Sequence, residues 1–576
     1  MKKINFIGEN FYYLLLFLFV VANCIIQCAM FDSNFFTLYD EAYCLLKCRD
    51  AYDGIITGKS QWDLLAVNWF PYFDLTNKVY ASWASVILIA ATILNTLIAF
   101  RLITQRWSFF KCCSLLLLLL FPVIGGEYAS DIQTRVGWVT GVNYLVIQVF
   151  LLESAISVFL IYYYNKKSTI KTIALVICGI LSGISLFVII PSGVLVILCM
   201  GGLIIFKQED WTNKIYGYLW LLLGICIAMI YIHLFISPLP SIIKEMLFTA
   251  SYVEKSGFGY TPIDFLRNIG SVILDFLGYI PLLFGIWYIS TKVNFKIKQI
   301  EYLSYIVYIW LFVIWIYRDS LVYRSFMPTI PFLACSTCMI MCSIFHANDI
   351  LNIRKNIPYL FLFVMPLVCA IGTNTNLWGR IGCFIVPWGI LIVMSEDFLQ
   401  IHIDKKVIVG FIVLLLIPLS INTSRIVYHS KKYYTEHFVS GNQNVAGIAM
   451  TVEQKKYFEK IQNIIEKYDY QPRKSVFFAS YLDYCTIYAL DAELSSKFHL
   501  PCNFPFFPKE QMLQPDFIIL IPEESHIYKL EELKWGWPEE YDVFEIGTPE
   551  TIHQKLIGDV AKKRLLYYRK SLKRQQ

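Results

Sequence analysis

The chain has 576 residues, of which 57% are hydrophobic and 16% charged. A soluble domain runs at roughly 45–50% apolar and about 25% charged, so this composition excludes an ordinary soluble protein. The formal charge of +6 suits basic loops at a membrane face and excludes a strongly basic nucleic-acid binder.

Apolar runs recur along most of the chain, and a spanning helix needs about 20 such residues. In chain order the predicted spans are 11–30, 81–100, 112–125, 141–163, 172–190, 193–206, 216–237, 270–290, 303–317, 322–345, 357–372, 381–395 and 407–421. The chain therefore reads as a polytopic α-helical membrane protein of about thirteen transmembrane helices. The first run follows Lys2 and Lys3 and precedes no A-x-A site, which predicts an uncleaved first helix.

The loops alternate in character. Arg101/Arg106/Lys111, Lys166/Lys167/Lys171, Lys207/Lys214, Lys292/Lys296/Lys298, Arg354/Lys355 and Lys405/Lys406 lie in short basic loops, cytoplasmic by the positive-inside rule. The loops 31–80, 126–140, 238–269, 318–321 and 373–380 are longer or richer in acids and aromatics, and face outward. An even shorter outward break falls at 191–192. With the N-terminus inside, an odd number of spans places the end of the chain outside.

Composition changes after residue 421, which divides a membrane domain, 1–421, from an extracytoplasmic C-terminal region, 422–576. "VEQKKYFEKIQNIIEKY" (452–468) spaces Tyr457, Ile461, Ile464 and Ile465 as a helix does. "KSVFFAS" (474–480), "PDFIILIP" (515–522) and "YDVFEIGTPE" (541–550) read as short strands bounded by turn residues. These elements predict a small soluble α/β domain. The basic end, "KKRLLYYRKSLKRQQ", opposes an outside location, although long tails translocate largely regardless of charge.

Most of the 16 cysteines lie inside apolar runs, where a thiol behaves as a small hydrophobe. Cys44 and Cys48 share one helix face, and Cys485 and Cys502 are able to pair if their domain is extracytoplasmic. Neither D-x-D, H-E-x-x-H nor G-x-G-x-x-G occurs. "GIITGKS" (54–60) is one residue short of a phosphate loop and reads as a polar turn. There is no repeat of 20–50 residues.

Acids and arginines collect on the outward side. Asp40 and Glu41 follow the first span, and Glu127, Asp131 and Arg135 follow the third in "GGEYASDIQTR". Arg318 and Arg324 flank "DSLVY", and Asn374 and Arg380 lie in "GTNTNLWGR". Each has a plainer reading. Acids favour helix N-termini, arginines snorkel to lipid headgroups, and "TNTN" makes a turn. Glu153 and Asp275 fall within spans, where a carboxylate is costly unless it faces the bundle. Converged at the lipid–water boundary, the outward groups suit attack on a lipid-linked phosphate. A carboxylate takes the acceptor's proton, and arginines hold the leaving phosphate bidentately.

"DEAYCLLKCRDAYDG" resembles the first outward loop of the GT-C integral-membrane glycosyltransferases, such as the protein O-mannosyltransferases and the aminoarabinose transferases for lipid A. The pattern of that loop is a D-E pair, an aromatic, and a small helix ending at a basic residue and a glycine. Asp40, Glu41, Tyr43, Arg49 and Gly54 fit it. The Pro-Pro element often found further down the loop is replaced here by "NWFPYFDLTNK" (68–78). The resemblance implies a GT-C-like fold, a polyprenyl-phosphate-linked sugar donor and inversion at the anomeric carbon. Asp40 is then the general base, and Glu41, Glu127 and Asp131 contact acceptor, sugar or a divalent metal, which some members need. The expected acceptor is a glycan, a lipid or a protein, and the expected location is the cytoplasmic membrane of a bacterial-type cell. Two other classes fit the same charges: a lipid-linked glycan polymerase or ligase, and a transporter.

Overall fold

The computed structural model describes residues 144–244, 352–371, 384–399, 435–437, 449–479, 483–495, 512–522, 530–547 and 563–572. Scattered positions within 42–49, 87–99, 247–274 and 337–345, and Ile381, complete the set. Six long helices fall in the apolar part: α1 (Tyr144–Tyr164), α2 (Ser168–Ser185), α3 (Ile190–Phe206), α4 (Trp211–Phe235), α5 (Ile353–Ala370) and α6 (Val386–Leu399). Among the described residues, Ile147–Tyr164, Ser168–Ser185 and Trp211–Phe235 are long and apolar enough to cross a membrane. Each of the six helices overlaps a predicted span. The other spans lie wholly or largely outside the described residues.

Helix α2 packs between α1 and α4, and α5 packs against α3 and α6. The contact between α2 and α4 is set by small residues. The buried stripe of α4 is Gly217, Leu221, Gly224, Ala228 and Ile232, and it meets Gly179 and Gly183 of α2. A methyl group on Gly179 would lie 2.2 Å from the Leu221 carbonyl oxygen and 2.9 Å from the Gly224 Cα. The two backbones thus approach as closely as they do only because both positions lack a side chain, the usual device between helices in lipid. The opposite face of α4 carries Ile215, Leu219, Leu222, Ile230 and Leu234, all exposed, as befits a surface that lipid covers.

This contact predicts the outcome of two similar substitutions. Gly179→Ala meets backbone that cannot move aside without parting the helices, and overpacking of this kind costs about 1–3 kcal/mol. Gly202→Ala in α3 meets nothing within 4 Å and should leave the melting temperature of the detergent-purified protein unchanged or slightly raised. Equal stability of the two variants would mean that α2 and α4 do not touch at Gly179.

The C-terminal region forms a five-stranded mixed sheet in the order β4-β3-β5-β7-β6. Its strands are β3 (Val476–Ala479), β4 (Glu493–Leu494), β5 (Phe517–Leu520), β6 (Tyr541–Gly547) and β7 (Arg564–Arg569). Strands β3, β4 and β5 are parallel, whereas β7 runs antiparallel to both β5 and β6. A separate two-stranded ribbon pairs β1 (Glu436–His437) with β2 (Ala449–Met450). Helix α7 (Val452–Ile465) opens with a full capping box: Thr451 accepts from the Gln454 N–H, and Gln454 accepts from the Thr451 N–H. It buries Tyr457, Phe458, Ile461 and Ile465. A short helix, α8 (Tyr484–Leu490), links β3 to β4 and is nearly all buried. The predicted 452–468 helix and the strands at 474–480, 515–522 and 541–550 correspond to α7, β3, β5 and β6. The boundary at 421–422 lies outside the described residues.

Candidate functional site

Every candidate chosen from the sequence lies outside the described residues: Asp40, Glu41, Glu127, Asp131, Arg135, Arg318, Arg324, Asn374 and Arg380. So do Asp275 and Cys502, which is able to pair with Cys485 only if the domain is extracytoplasmic. The described residues fix the surroundings of the first of these segments. Ala42, which directly follows Glu41, is helical, as are Leu45, Leu46 and Arg49. Their i, i+3, i+4, i+7 spacing makes one face of a helix. All four are at most 2% exposed.

The C-terminal domain reaches this face through Asp491 and one shared buried cluster. Ala42, Leu45 and Leu46 belong to one continuous buried cluster with Phe477, Phe478, Tyr484, Tyr488, Phe517 and Ile519 of the sheet domain. Leu88, Ile147, Leu151, Val188 and Ile189 belong to it as well. At its edge, Arg49 Nη1 donates to Asp491 Oδ1 at 3.3 Å, and Arg473 Nε lies 2.5 Å from the same oxygen. Asp491 is the residue after α8 and holds φ 56, a left-handed conformation that Asp tolerates better than most residues. The Tyr470 hydroxyl donates to the Leu490 carbonyl one residue earlier. Burial and then the Asp491 carboxylate push this phenol above its ordinary pKa, and Arg49 pulls it down.

The elements that meet the sheet domain share one end of the bundle. They are the start of α1, the turn at 186–189 between α2 and α3, and the helix of the first loop. Phe187 of that turn also packs with Ile232 and Ile242 near the end of α4. The other end carries the basic loops. There Lys171 Nζ lies 2.6 Å from Glu209 Oε1, and Lys207 Nζ lies 3.1 Å from it. Lys207 also donates to the Tyr162 carbonyl and sits 3.8 Å over the Tyr162 ring. A pocket at this end is lined by Phe206, Lys207, Glu209, Trp211 and Lys214. It lies at the end of α1–α4 opposite to Ile147, Val188 and Ile189, which share a cluster with Ala42.

Inside the bundle Glu153 is buried and accepts from the Val386 N–H at 3.2 Å. The carboxylate therefore faces the bundle, as its cost in lipid required. Its described partner is the first turn of α6, where a helix offers free N–H groups and a partial positive charge. Neighbouring polar residues link α1 to the helix of 87–99 and to α3: Asn95 donates to Ser154, Thr96 pairs with Ser157, and Gln148 donates to Ser192.

Among the described residues no group of three or more His, Cys, Asp or Glu is placed to hold a metal ion. The acids from which an outer metal site would be built, Asp40, Glu41, Glu127 and Asp131, are not among them.

The described parts define a helical membrane bundle with a mixed sheet domain seated on one end. No protein-family model matches the chain, and no curated protein matches it. Among solved structures it is similar to ArnT from Cupriavidus metallidurans bound to undecaprenyl phosphate, with TM-score 0.45 and 12% identity over 98% of this chain and 99% of that one. The same protein in the apo state gives TM-score 0.45 and 11% identity over the same shares. A likeness at this level transfers no residue of one chain onto the other.

Proposed function

We propose that the protein is a polytopic glycosyltransferase of GT-C type. It moves a sugar from a polyprenyl phosphate carrier to an acceptor hydroxyl on the outer side of the cytoplasmic membrane. The observation that supports this most is the burial of Ala42, Leu45, Leu46 and Arg49 of the first loop. Ala42, Leu45 and Leu46, next in sequence to Asp40–Glu41, share a buried cluster with the sheet domain at the bundle end opposite the basic loops. The proposal places these acids between lipid, which delivers the donor, and a folded cover, which limits water. The basic loops take the cytoplasmic side, and the sheet domain with the C-terminus takes the outer side.

In the proposed reaction the acceptor oxygen attacks the anomeric carbon. The bond from that carbon to the phosphate oxygen breaks, with inversion, and polyprenyl phosphate departs. Asp40 receives the acceptor's proton. Arg318 and Arg324 hold the phosphate as its charge grows, and a planar guanidinium does so with two parallel hydrogen bonds. Glu127, Asp131, Arg135, Asn374 and Arg380 are assigned to sugar and acceptor contacts.

The test is transfer of a labelled sugar from a polyprenyl phosphate donor by the purified protein in lipid nanodiscs. Arg318→Lys and Arg324→Lys keep the charge and lose the fork. A charge-assisted hydrogen bond is worth about 1.5–3 kcal/mol, so each variant should lose about 10- to 10²-fold in turnover. Undiminished turnover in both would reduce them to headgroup anchors. Consumption of a pyrophosphate-linked oligosaccharide instead would assign the protein to glycan polymerisation, and lipid movement without transfer would make it a transporter.

A further inference from the structure

The first-loop helix and the sheet domain are distant in sequence and share no loop. They are nevertheless joined in two ways. Ala42, Leu45 and Leu46 share one buried cluster with the core of the domain, and Arg49 reaches Asp491, 442 residues away. The ionic contact is costly to build. The Arg49 side chain is only 3% exposed, and a buried guanidinium is unfavourable unless it is paired and well hydrogen-bonded. Packing alone would have served as glue. A buried charge pair adds direction, because it is satisfied in one register of the helix against the domain and not in the next.

The receiving carboxylate is itself fixed. Asp491 follows α8, the Arg473 N–H donates to its carbonyl at 2.8 Å, and the Arg473 side chain grips the same Oδ1 that Arg49 reaches. The residues that define α8 are almost fully buried, so Asp491 is anchored in the domain rather than on a free loop. Arg49 lies two helical turns beyond Ala42 on one face, and Ala42 follows the Asp40–Glu41 pair without an intervening residue.

We propose that Arg49 and Asp491 are positioning residues. Their contact sets the register of the first-loop helix against the C-terminal domain and so fixes where Asp40–Glu41 stands. The catalytic half of this statement rests on the transfer reading above. The domain then has a role in the reaction without contributing a reacting group, acting through a helix that it clamps.

The experiment compares Asp491→Asn, Arg49→Gln and Arg49→Lys in full-length protein in nanodiscs, with Asp516→Asn as control. Asn keeps the shape of Asp and its tolerance of the left-handed backbone, so the fold at 491 survives. Asp516 pairs with Arg569 inside the domain at 2.6 Å and touches no first-loop residue that the structure describes. Hydrogen exchange gives a readout independent of activity. Exchange over 42–49 should rise in Asp491→Asn and Arg49→Gln, with β5 still protected, and should not rise in Asp516→Asn.

Turnover should fall about 10- to 10²-fold in the same two variants, the scale of an approximately 1 Å misplacement, with the donor KM little changed. Arg49→Lys should recover part of the loss. The double variant Arg49→Gln/Asp491→Asn should be no worse than the poorer single. Unchanged exchange over 42–49 overturns the clasp. Raised exchange with full turnover overturns the positioning role. A wild-type protein that transfers no sugar overturns the function and the catalytic half with it, while exchange still decides the clasp.

Discussion

Asp40→Asn is expected to fold, insert and bind the polyprenyl-phosphate donor, and to lose about 10²–10⁴ in turnover, the usual contribution of a general base. Asn preserves the size of the side chain and its capacity to accept a hydrogen bond. It cannot take the acceptor's proton. Two adjacent carboxylates raise the cost of holding both charges, so one of the pair is expected to be neutralised by a cation, by Arg135 or by a proton. Successive residues of a helix start point in different directions, and only one of the two then faces the reacting centre. Glu41→Gln should therefore cost less, unless Glu41 holds a metal. Measured side by side, near-normal turnover in Asp40→Asn with the loss confined to Glu41→Gln would transfer the base role to Glu41. Normal turnover in both would leave the pair as a helix cap. The Arg49 and Asp491 variants add a distinction here, because a displaced base and a deleted base differ in rescue: Arg49→Lys should lose less than Arg49→Gln if the base is displaced, and nothing at position 49 recovers a deleted base.

The sequence made the bundle legible where hydropathy alone decides, and misplaced its boundaries where proline does. The predicted spans 172–190 and 193–206 put the break at 191–192, on Pro191 and Ser192. The chain actually turns at Leu186–Ile189, and Pro191 sits in the first turn of α3. The same happened at α6, predicted from 381 but running Val386–Leu399, with Pro387 in its first turn. Proline opens helices because its missing N–H is unsatisfied there anyway; a break therefore belongs before it. Helices α4 and α5 begin about four residues earlier than predicted. "WTNK" and "IRKN" are polar first turns outside the apolar run.

In the sheet domain the elements missed include α8, β4 and β7, and β7 is the longest of the missed strands. "RLLYYR" sits in a strongly basic tail, and its apolar stretch is only four residues long. It nevertheless lies inside the sheet, between β5 and β6. Its charges are matched there: Arg564 with Asp483, Arg569 with Asp516, and Lys563 with Glu545. Three basic residues of the tail are thus paired with the domain's own acids. Of the site, the sequence indicated the acids and arginines of the outward loops and included Arg49 in its motif. It gave no sign of Asp491. A partner separated by 442 residues leaves no local pattern, and an Asp after a short helix looks like any turn residue.

Replacing Arg564 should destabilise the C-terminal domain more than any surface change. Its Nε donates to Asp483 Oδ2 at 2.9 Å, and the two side chains are 3% and 1% exposed. The Tyr457 hydroxyl of α7 donates to the other Asp483 oxygen at 3.4 Å. The group therefore ties α7, the start of α8 and β7 together in the domain core. Removing Arg564 leaves the Asp483 carboxylate buried without its guanidinium, and breaking a buried pair in this way costs about 3–5 kcal/mol. Domains are stable by only about 5–15 kcal/mol, so Arg564→Met should bring this one close to unfolding. The pH dependence identifies the cause. Burial pushes the Asp483 carboxyl up, and the Arg564 guanidinium and the hydrogen bonds to Asp483 pull it down. Without the arginine its largest restraint is gone, and the folded-state pKa rises further above the unfolded value of about 3.9. Between those two values the folded state binds more protons than the unfolded state, so stability falls as pH rises through that window. Arg564→Met should accordingly recover stability as pH is lowered toward 4, whereas a variant damaged by lost packing would not. The paired replacement Asp483→Leu/Arg564→Met removes both charges and should cost less than either single change. Exchange protection of β5 and β7 in the full-length protein measures all three. Losses below about 1 kcal/mol in both single variants would show a pair that water already reaches. Because Ala42, Leu45 and Leu46 share this core, loosening it should also raise exchange at 42–49, carrying the damage from the far end of the chain to the first loop.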